Sequence, residues 1–188
     1  EDTRPQGEER MGLVRLWALQ AAAAGGTQHV LLIDFDRLIH WEAHYPAELR
    51  QVEQMMLEYD FFVLGRTERA FESHPEAQRE TERLINAAFL NTFGQAWDIT
   101  GGARGVSAKA IRALSQHSRC ATIGVDGEWP VLSARLGLQV SYLATEGLEY
   151  ETADRFQAEI AELGYQGWLD AYINTPHSWD IRFRLAHQ

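Results

Sequence analysis

The sequence predicts an α/β protein with a mostly parallel sheet flanked by helices. Two observations carry that prediction. The apolar run Val30-Leu31-Leu32-Ile33 ends in Asp34-Phe35-Asp36, which reads as a buried parallel strand with carboxylates at its carboxyl end, where open α/β sheets place ligands. Strand-like and helix-like stretches then alternate along the chain, the pattern of a sheet with crossover helices.

Taken in order, residues 8–24 read as a helix: Val14, Trp17, Ala18 and Ala21 keep helical spacing, and Gly25-Gly26 stops it. A strand over 28–34 follows. Residues 46–58 form an amphipathic helix with Leu49, Val52 and Met56 on one face. Asp60 to Leu64 is a short apolar strand ending in Gly65-Arg66-Thr67. Pro75 opens a long helix to about Phe93, with Ile85, Phe89 and Phe93 four apart. Gly94 ends it. Residues 97–105 read as a glycine-rich loop near the site. Ser107 is the N-cap of a helix to His117. Residues 120–125 read as a strand, and Asp126-Gly127-Glu128-Trp129-Pro130 leads into a helix that ends at Gly137. Gln139 to Leu143 is a further strand. Phe156, Ile160 and Leu163 mark a late helix stopped by Gly164. In the tail, Trp179, Ile181, Phe183 and Leu185 alternate as in a strand, and the same segment also reads as a helix.

The chain has 188 residues, 45% hydrophobic and 23% charged. That is enough for one domain with a sizeable core and has ordinary globular composition. A net charge of -10 argues against a nucleic-acid partner. Cys120 is the only cysteine, so no intramolecular disulfide forms, which fits a reducing, cytoplasmic compartment. No apolar run reaches the roughly 18 residues of a membrane span. The start is polar and acid-rich, unlike a signal peptide, and lacks Met; the chain reads as a processed or partial product.

Three constellations carry chemistry. Asp34 and Asp36 on a tight turn make a site for Mg²⁺, which takes oxygen ligands and shares them with phosphates; the plain alternative is a helix-capping turn. Asp98-Ile99-Thr100-Gly101-Gly102-Ala103-Arg104-Gly105 lets backbone approach a ligand closely and offers an arginine to a phosphate or carboxylate. At the third, Asp126 or Glu128 is a candidate general base, with Trp129 as an apolar wall. The histidines show no tight metal-ligand spacing. His40 and His44, four apart, read as a polar helix face rather than a metal site.

In this order the constellations resemble the later part of a family 2-type glycosyltransferase. The likeness is to the branch of polyprenyl-phosphate mannosyl- and glucosyltransferases and uncharacterised bacterial relatives. Asp34-Phe35-Asp36 resembles that family's Asp-x-Asp. Gly65-Arg66 resembles the end of its next strand. Asp98 to Ser107 resembles its Asp-x-Thr-Ser-Gly-Phe-Arg-x-x-Ser, with Asp98, Thr100, Gly102, Arg104 and Ser107 matching and Ala103 replacing the aromatic. The resemblance covers roughly residues 8–150.

It implies a GT-A-like catalytic domain over 1–188, with 151–188 as a helical or extended tail. It further implies Mg²⁺ or Mn²⁺ on Asp36 and Asp34, and a nucleotide-sugar diphosphate on Asp34, Arg66 and Arg104. Glu128 or Asp126 would be the base toward an unknown acceptor, with Asp98 and Trp129 in the acceptor region and inversion at the sugar. In that family about two βα units precede the Asp-x-Asp, and each βαβ unit takes about 30 residues or more. Only 33 residues precede Asp34 here, so the domain is expected to be incomplete at its amino-terminal side, with a bare sheet edge that favours self-association. Two alternatives stand beside this reading. One is a haloacid-dehalogenase-like Mg²⁺ phosphatase with Asp34 as nucleophile, Asp36 as acid/base, Lys109 on phosphate and Asp126 on the metal. The other is a non-catalytic, degenerate GT-A binding domain.

Overall fold

Phe61 to Arg66 is a run of six buried residues. Side chains of a strand alternate between faces, and here Phe61 and Val63 enter one core while Phe62 and Leu64 enter another. This strand, β2 (Phe61–Arg66), is therefore central, with helices on both sides. A computed structural model describes residues 8–188. In it β1 (His29–Leu32), β2, β3 (Ala103–Ser107) and β4 (Val140–Thr145) form one sheet in the order β1-β3-β2-β4. One face packs on α1 (Met11–Ala24), α5 (Glu76–Phe93), α6 (Ala108–His117) and α7 (Val125–Arg135). The other packs on α2 (Phe35–His44) and α3 (Pro46–Met55). A short α4 (Glu68–Glu72) follows β2.

The sheet is mixed, not mostly parallel. β2 and β4 are parallel, but β3 runs antiparallel to both β1 and β2. The cause lies before β3. Asp98 is bonded to Arg66 at the carboxyl end of β2, so the 97–102 loop is pinned there and the chain must enter β3 from that end. The same contact explains why residues 103–107 form a strand where a loop is predicted. Glycine and arginine give this segment little β-propensity, yet packing selects it. A Cβ at Gly105 would lie 2.7 Å from Met56 Cβ, and one at Gly65 would lie 2.5 Å from the Asp98 carbonyl. Glycine at both points lets a helix and a loop sit directly on the strands.

Residues 120–125 are the opposite case: predicted as a strand, residues 120–124 form a link between helices and Val125 opens α7. The Ala121 carbonyl accepts from the Leu13 amide, and the Arg119 and Cys120 amides donate to Glu128. With its polar groups met by a helix and a carboxylate, this backbone needs no neighbouring strand. α1 also turns a different face inward from the one its spacing predicts. Leu16, Leu19 and Ala23 pack on the core, and Trp17 is 42% exposed. Gly12 sets the rotation by lying against the backbone of residues 121–122.

The carboxyl-terminal segment is helical. α8 (Gln157–Trp168) is broken at Gly164, which has φ 73°, so the predicted stop is a kink. α9 (Pro176–Ala186) resolves the ambiguous tail as a helix: Thr175 caps it by accepting from the Ser178 amide, and Pro176 opens its first turn. α9 lies on α5, where Arg182 donates to Gln78 at 2.6 Å. Trp168 is fully buried among Tyr150, Phe156 and Tyr165. Among the described residues no helix is long and apolar enough to cross a membrane, and no strand pairs with β1 on its outer side.

Candidate functional site

β1, β2 and β4 run in one direction, so their carboxyl ends and the loop entering β3 lie at the same end of the sheet. Arg66 is the deepest charge there. Its side chain is wholly enclosed, with Nε donating to Asp98 at 2.7 Å and Nη2 to Asp98, Glu82 and Thr100 at 3.0, 2.7 and 2.8 Å. Burial alone would raise the Asp98 carboxyl, but the charge and hydrogen bonds of Arg66 hold it well below the ordinary carboxylate range. Arg66 was a diphosphate candidate in the sequence. In the fold its fork is occupied by two carboxylates, and Asp98, expected near an acceptor, serves to fix Arg66 and the loop.

His74 lies close enough to feel Arg66 and Arg37. Its Nδ1 donates to the Ala70 carbonyl at 3.0 Å. Burial, and then those two guanidiniums, push the imidazole well below its usual 6.5. A depressed folded-state value means the unfolded chain binds the proton first. Stability from this group is therefore complete above pH 6.5 and declines as pH falls below it. The expected slope is about 1.4 kcal/mol per pH unit. Asp98 and Glu149, also depressed, contribute in the same direction only near and below their ordinary 3.8 and 4.5, so urea midpoints between pH 7.5 and 5.5 report mainly on the histidine. His74→Asn keeps a donor for Ala70 and should flatten that dependence; an unchanged slope would exclude His74 as its source.

A second cluster adjoins the first. Arg104 leaves β3 with its side chain 3% exposed and donates from Nη2 to Asp126 Oδ1 at 2.6 Å. Arg15, from α1, donates to the same oxygen at 2.5 Å. Two guanidiniums thus meet one carboxylate oxygen, and the charge of Asp34 also acts on Arg104. Burial, opposed by Asp126 and reinforced by Arg15, lowers Arg104 from its usual value. Arg37, the residue after Asp36, donates to the Gly101 carbonyl at 2.5 Å and pairs with Glu151 at 3.4 Å. Both Arg37 and Arg15 border Gly102, whose φ is +76° and whose Cβ position would be 3.2 Å and 3.7 Å from their nitrogens. Arg15 and Arg37 therefore meet at one glycine, and Arg15 joins them to Arg104 through the shared Asp126 oxygen.

Asp34 and Asp36 flank this cluster on the solvent side. Both are exposed. Asp34 is the N-cap residue of α2, but its side chain caps no amide. Arg104 pairs in register with Leu32, two residues before Asp34, and the charge of Asp34 acts on it. Asp36 sits in the first helical turn, where the helix dipole favours an acid, 3.3 Å from Arg155. The Asp36 side chain also accepts from the Arg37 amide at 3.0 Å, so the helix-start role holds for Asp36, while Asp34 caps no amide.

Asp126 and Glu128 part company. Asp126 borders a cavity of about 150 Å³ between α5, α7 and α9, together with Glu82, Thr100 and Arg182. Glu128 points to the α6–α7 link, accepting from Ser118 Oγ and from the Arg119 and Cys120 amides. Trp129 is fully buried, its Nε1 donating to Ser118; it is core, with no ring face for a ligand. Lys109 lies at the other end of the sheet, on Asp60 at 2.8 Å.

Arg15, Arg37 and Glu82 were not singled out in the sequence. A signal existed for two of them: Arg15 stands four before the buried Leu19, and Glu82 four after the buried Gln78, so each interrupts an inward helical face. In comparison with known proteins, no family model matches the chain, no curated protein matches it and no solved structure matches it.

Proposed function

We propose that this chain is a metal-dependent glycosyltransferase domain of GT-A type, moving a sugar from a nucleotide-diphosphate sugar to an acceptor. One observation carries the reading: Arg15 and Arg37 border Gly102, Arg15 shares an Asp126 oxygen with Arg104, and the exposed Asp34 lies near enough for its charge to act on Arg104. Arginine forks match phosphate oxygens, so guanidiniums near exposed carboxylates suit a metal-bound diphosphate.

The donor set at Asp34 and Asp36 fits Mg²⁺ or Mn²⁺: two exposed carboxylates, oxygen only, with one residue between them. When bound, the metal supplies charge neutralisation for the leaving diphosphate. The protein's part is orientation. Arg104 and Arg15, held by Asp126, bind phosphate oxygens from the sheet side. Gly102 lets backbone come close, and Arg37 ties the Asp-x-Asp turn to the glycine loop. Asp126 is the acid on the acceptor side, because it borders a cavity whereas Glu128 faces the α6–α7 link. The phosphatase alternative loses its phosphate-binding lysine, since Lys109 and Asp34 are at opposite ends of the sheet.

Calorimetric titration of UDP, GDP and their sugar conjugates, with and without Mn²⁺, tests the reading on the full chain. Binding of one nucleotide series should require the metal and weaken at least tenfold, about 1.4 kcal/mol, in Asp34→Asn and Asp36→Asn. Absence of binding to either series, or equal binding by the variants, would overturn it.

A further inference from the structure

α2 carries His40 and His44 one turn apart, next to the Glu151–Phe156 turn. His40 is buried, and each of its ring nitrogens faces a carboxylate: Nδ1 lies 2.6 Å from Asp154 Oδ2 and Nε2 lies 3.2 Å from Glu149 Oε1. A neutral imidazole has one N–H, so it can serve only one of these acids. The other contact requires a second proton or a metal ion. His44 Nε2 approaches the same Asp154 carboxylate, 3.7 Å from Oδ1, and the two imidazole centroids are 4.4 Å apart. One ligand atom from each of His40, His44 and Asp154 lies within 4.8 Å of the others.

We propose that His40, His44 and Asp154 form a zinc site, distinct from the Asp34/Asp36 pair. Two imidazoles and one carboxylate suit Zn²⁺ and its neighbours among the transition metals, not Mg²⁺. Ligand atoms about 2.1 Å from a tetrahedral ion stand about 3.4 Å apart. The His44–Asp154 spacing is already close to that. The His40–Asp154 contact must widen by under about 1 Å, which Asp154, 39% exposed at its side chain, can accommodate.

Glu149 completes the arrangement by accepting from His40 Nε2, which leaves Nδ1 as the ligand atom. Such a carboxylate behind a ligating histidine fixes the ring and its tautomer. Glu149 is itself held by Arg69 at 2.5 Å and the Tyr45 hydroxyl at 3.0 Å. Three protein ligands leave a fourth position toward an adjoining cavity of about 370 Å³ bordered by Ser73, Tyr150 and Tyr165, where water or a small ligand can bind. The ion would clamp α2 to the Glu151–Phe156 turn, across the junction that Arg37–Glu151 and Asp36–Arg155 also span.

Zn²⁺ titration of the metal-stripped full chain, in excess Mg²⁺, tests this. One equivalent should bind, Co²⁺ should give the visible absorption of a four-coordinate N/O site, and Zn²⁺ should raise the melting temperature by several degrees. His44→Ala and Asp154→Asn change side chains that are 51% and 39% exposed, so both should fold, checked by circular dichroism. Each should lose at least tenfold in Zn²⁺ affinity, and Glu149→Gln should lose about tenfold. Asp34→Asn should bind Zn²⁺ normally, which separates this site from nucleotide-linked metal. Failure of the parent chain to bind Zn²⁺, or unchanged affinity in both His44→Ala and Asp154→Asn, would overturn the site and assign the His40 contacts to an imidazolium ion pair.

Discussion

Asp98→Ala should lower the unfolding free energy by about 3–5 kcal/mol, the loss expected when one partner of a buried ion pair is removed. The mechanism is specific. Arg66 is wholly enclosed, and Asp98 takes its Nε and one Nη2 bond as well as its backbone amide. Glu82 remains after the substitution but meets only one guanidinium nitrogen at 2.7 Å. Asp98 also accepts from Asn86, Thr100 and the Thr100 amide, so the loop that turns the chain into β3 loosens with it. Urea unfolding gives the number. The triple variant Arg66→Met/Glu82→Leu/Asp98→Leu, which removes all three charges of the cluster, should recover a large part of the loss, because apolar replacement of buried ion pairs is often neutral. A single-variant loss below about 1 kcal/mol would mean that Asp98 does not hold the fold at this point.

Arg104→Leu should separate binding from folding. Arg15 and Arg104 share one oxygen of Asp126, and removal of one guanidinium leaves a balanced Arg15–Asp126 pair. The stability change should therefore stay within about 2 kcal/mol. Metal-dependent nucleotide-diphosphate affinity should fall about 100-fold, or about 2.7 kcal/mol, as expected for a charge-assisted fork lost from a phosphate. Calorimetry and urea unfolding on the same preparation measure the two effects. Undiminished nucleotide affinity would remove Arg104 from the diphosphate site and leave the arginine cluster without its assigned ligand.

Elements with local signals were legible in the sequence. Leu49, Val52 and Met56 share a buried face, Pro75 precedes α5, Ser107 caps α6 and Gly94 terminates α5 with φ 77°. The failures share a cause as well. Residues 103–107 look like a loop because their glycines serve packing against Met56 and Phe62. Residues 120–125 look like a strand because apolar content does not reveal that their backbone groups are satisfied by α1 and Glu128. Among the site residues, Asp34, Arg104 and Asp126 come together at one end of the sheet, whereas Asp36 meets Arg155, and Glu128 and Trp129 belong to the α6–α7 packing.

The sequence by itself determined the α/β class, most helix limits, the apolar strand before Gly65-Arg66 and the presence of carboxylates after β1, since each follows from composition and spacing within a few residues. Tertiary structure alone decided the direction of β3, the enclosure of Arg66 and the meeting of Arg15 with Asp126 across 111 residues. It also brought Asp154 to His40 across 114 residues. Partners so distant are chosen by which faces pack and which buried charges need compensation, and neither is written in local spacing.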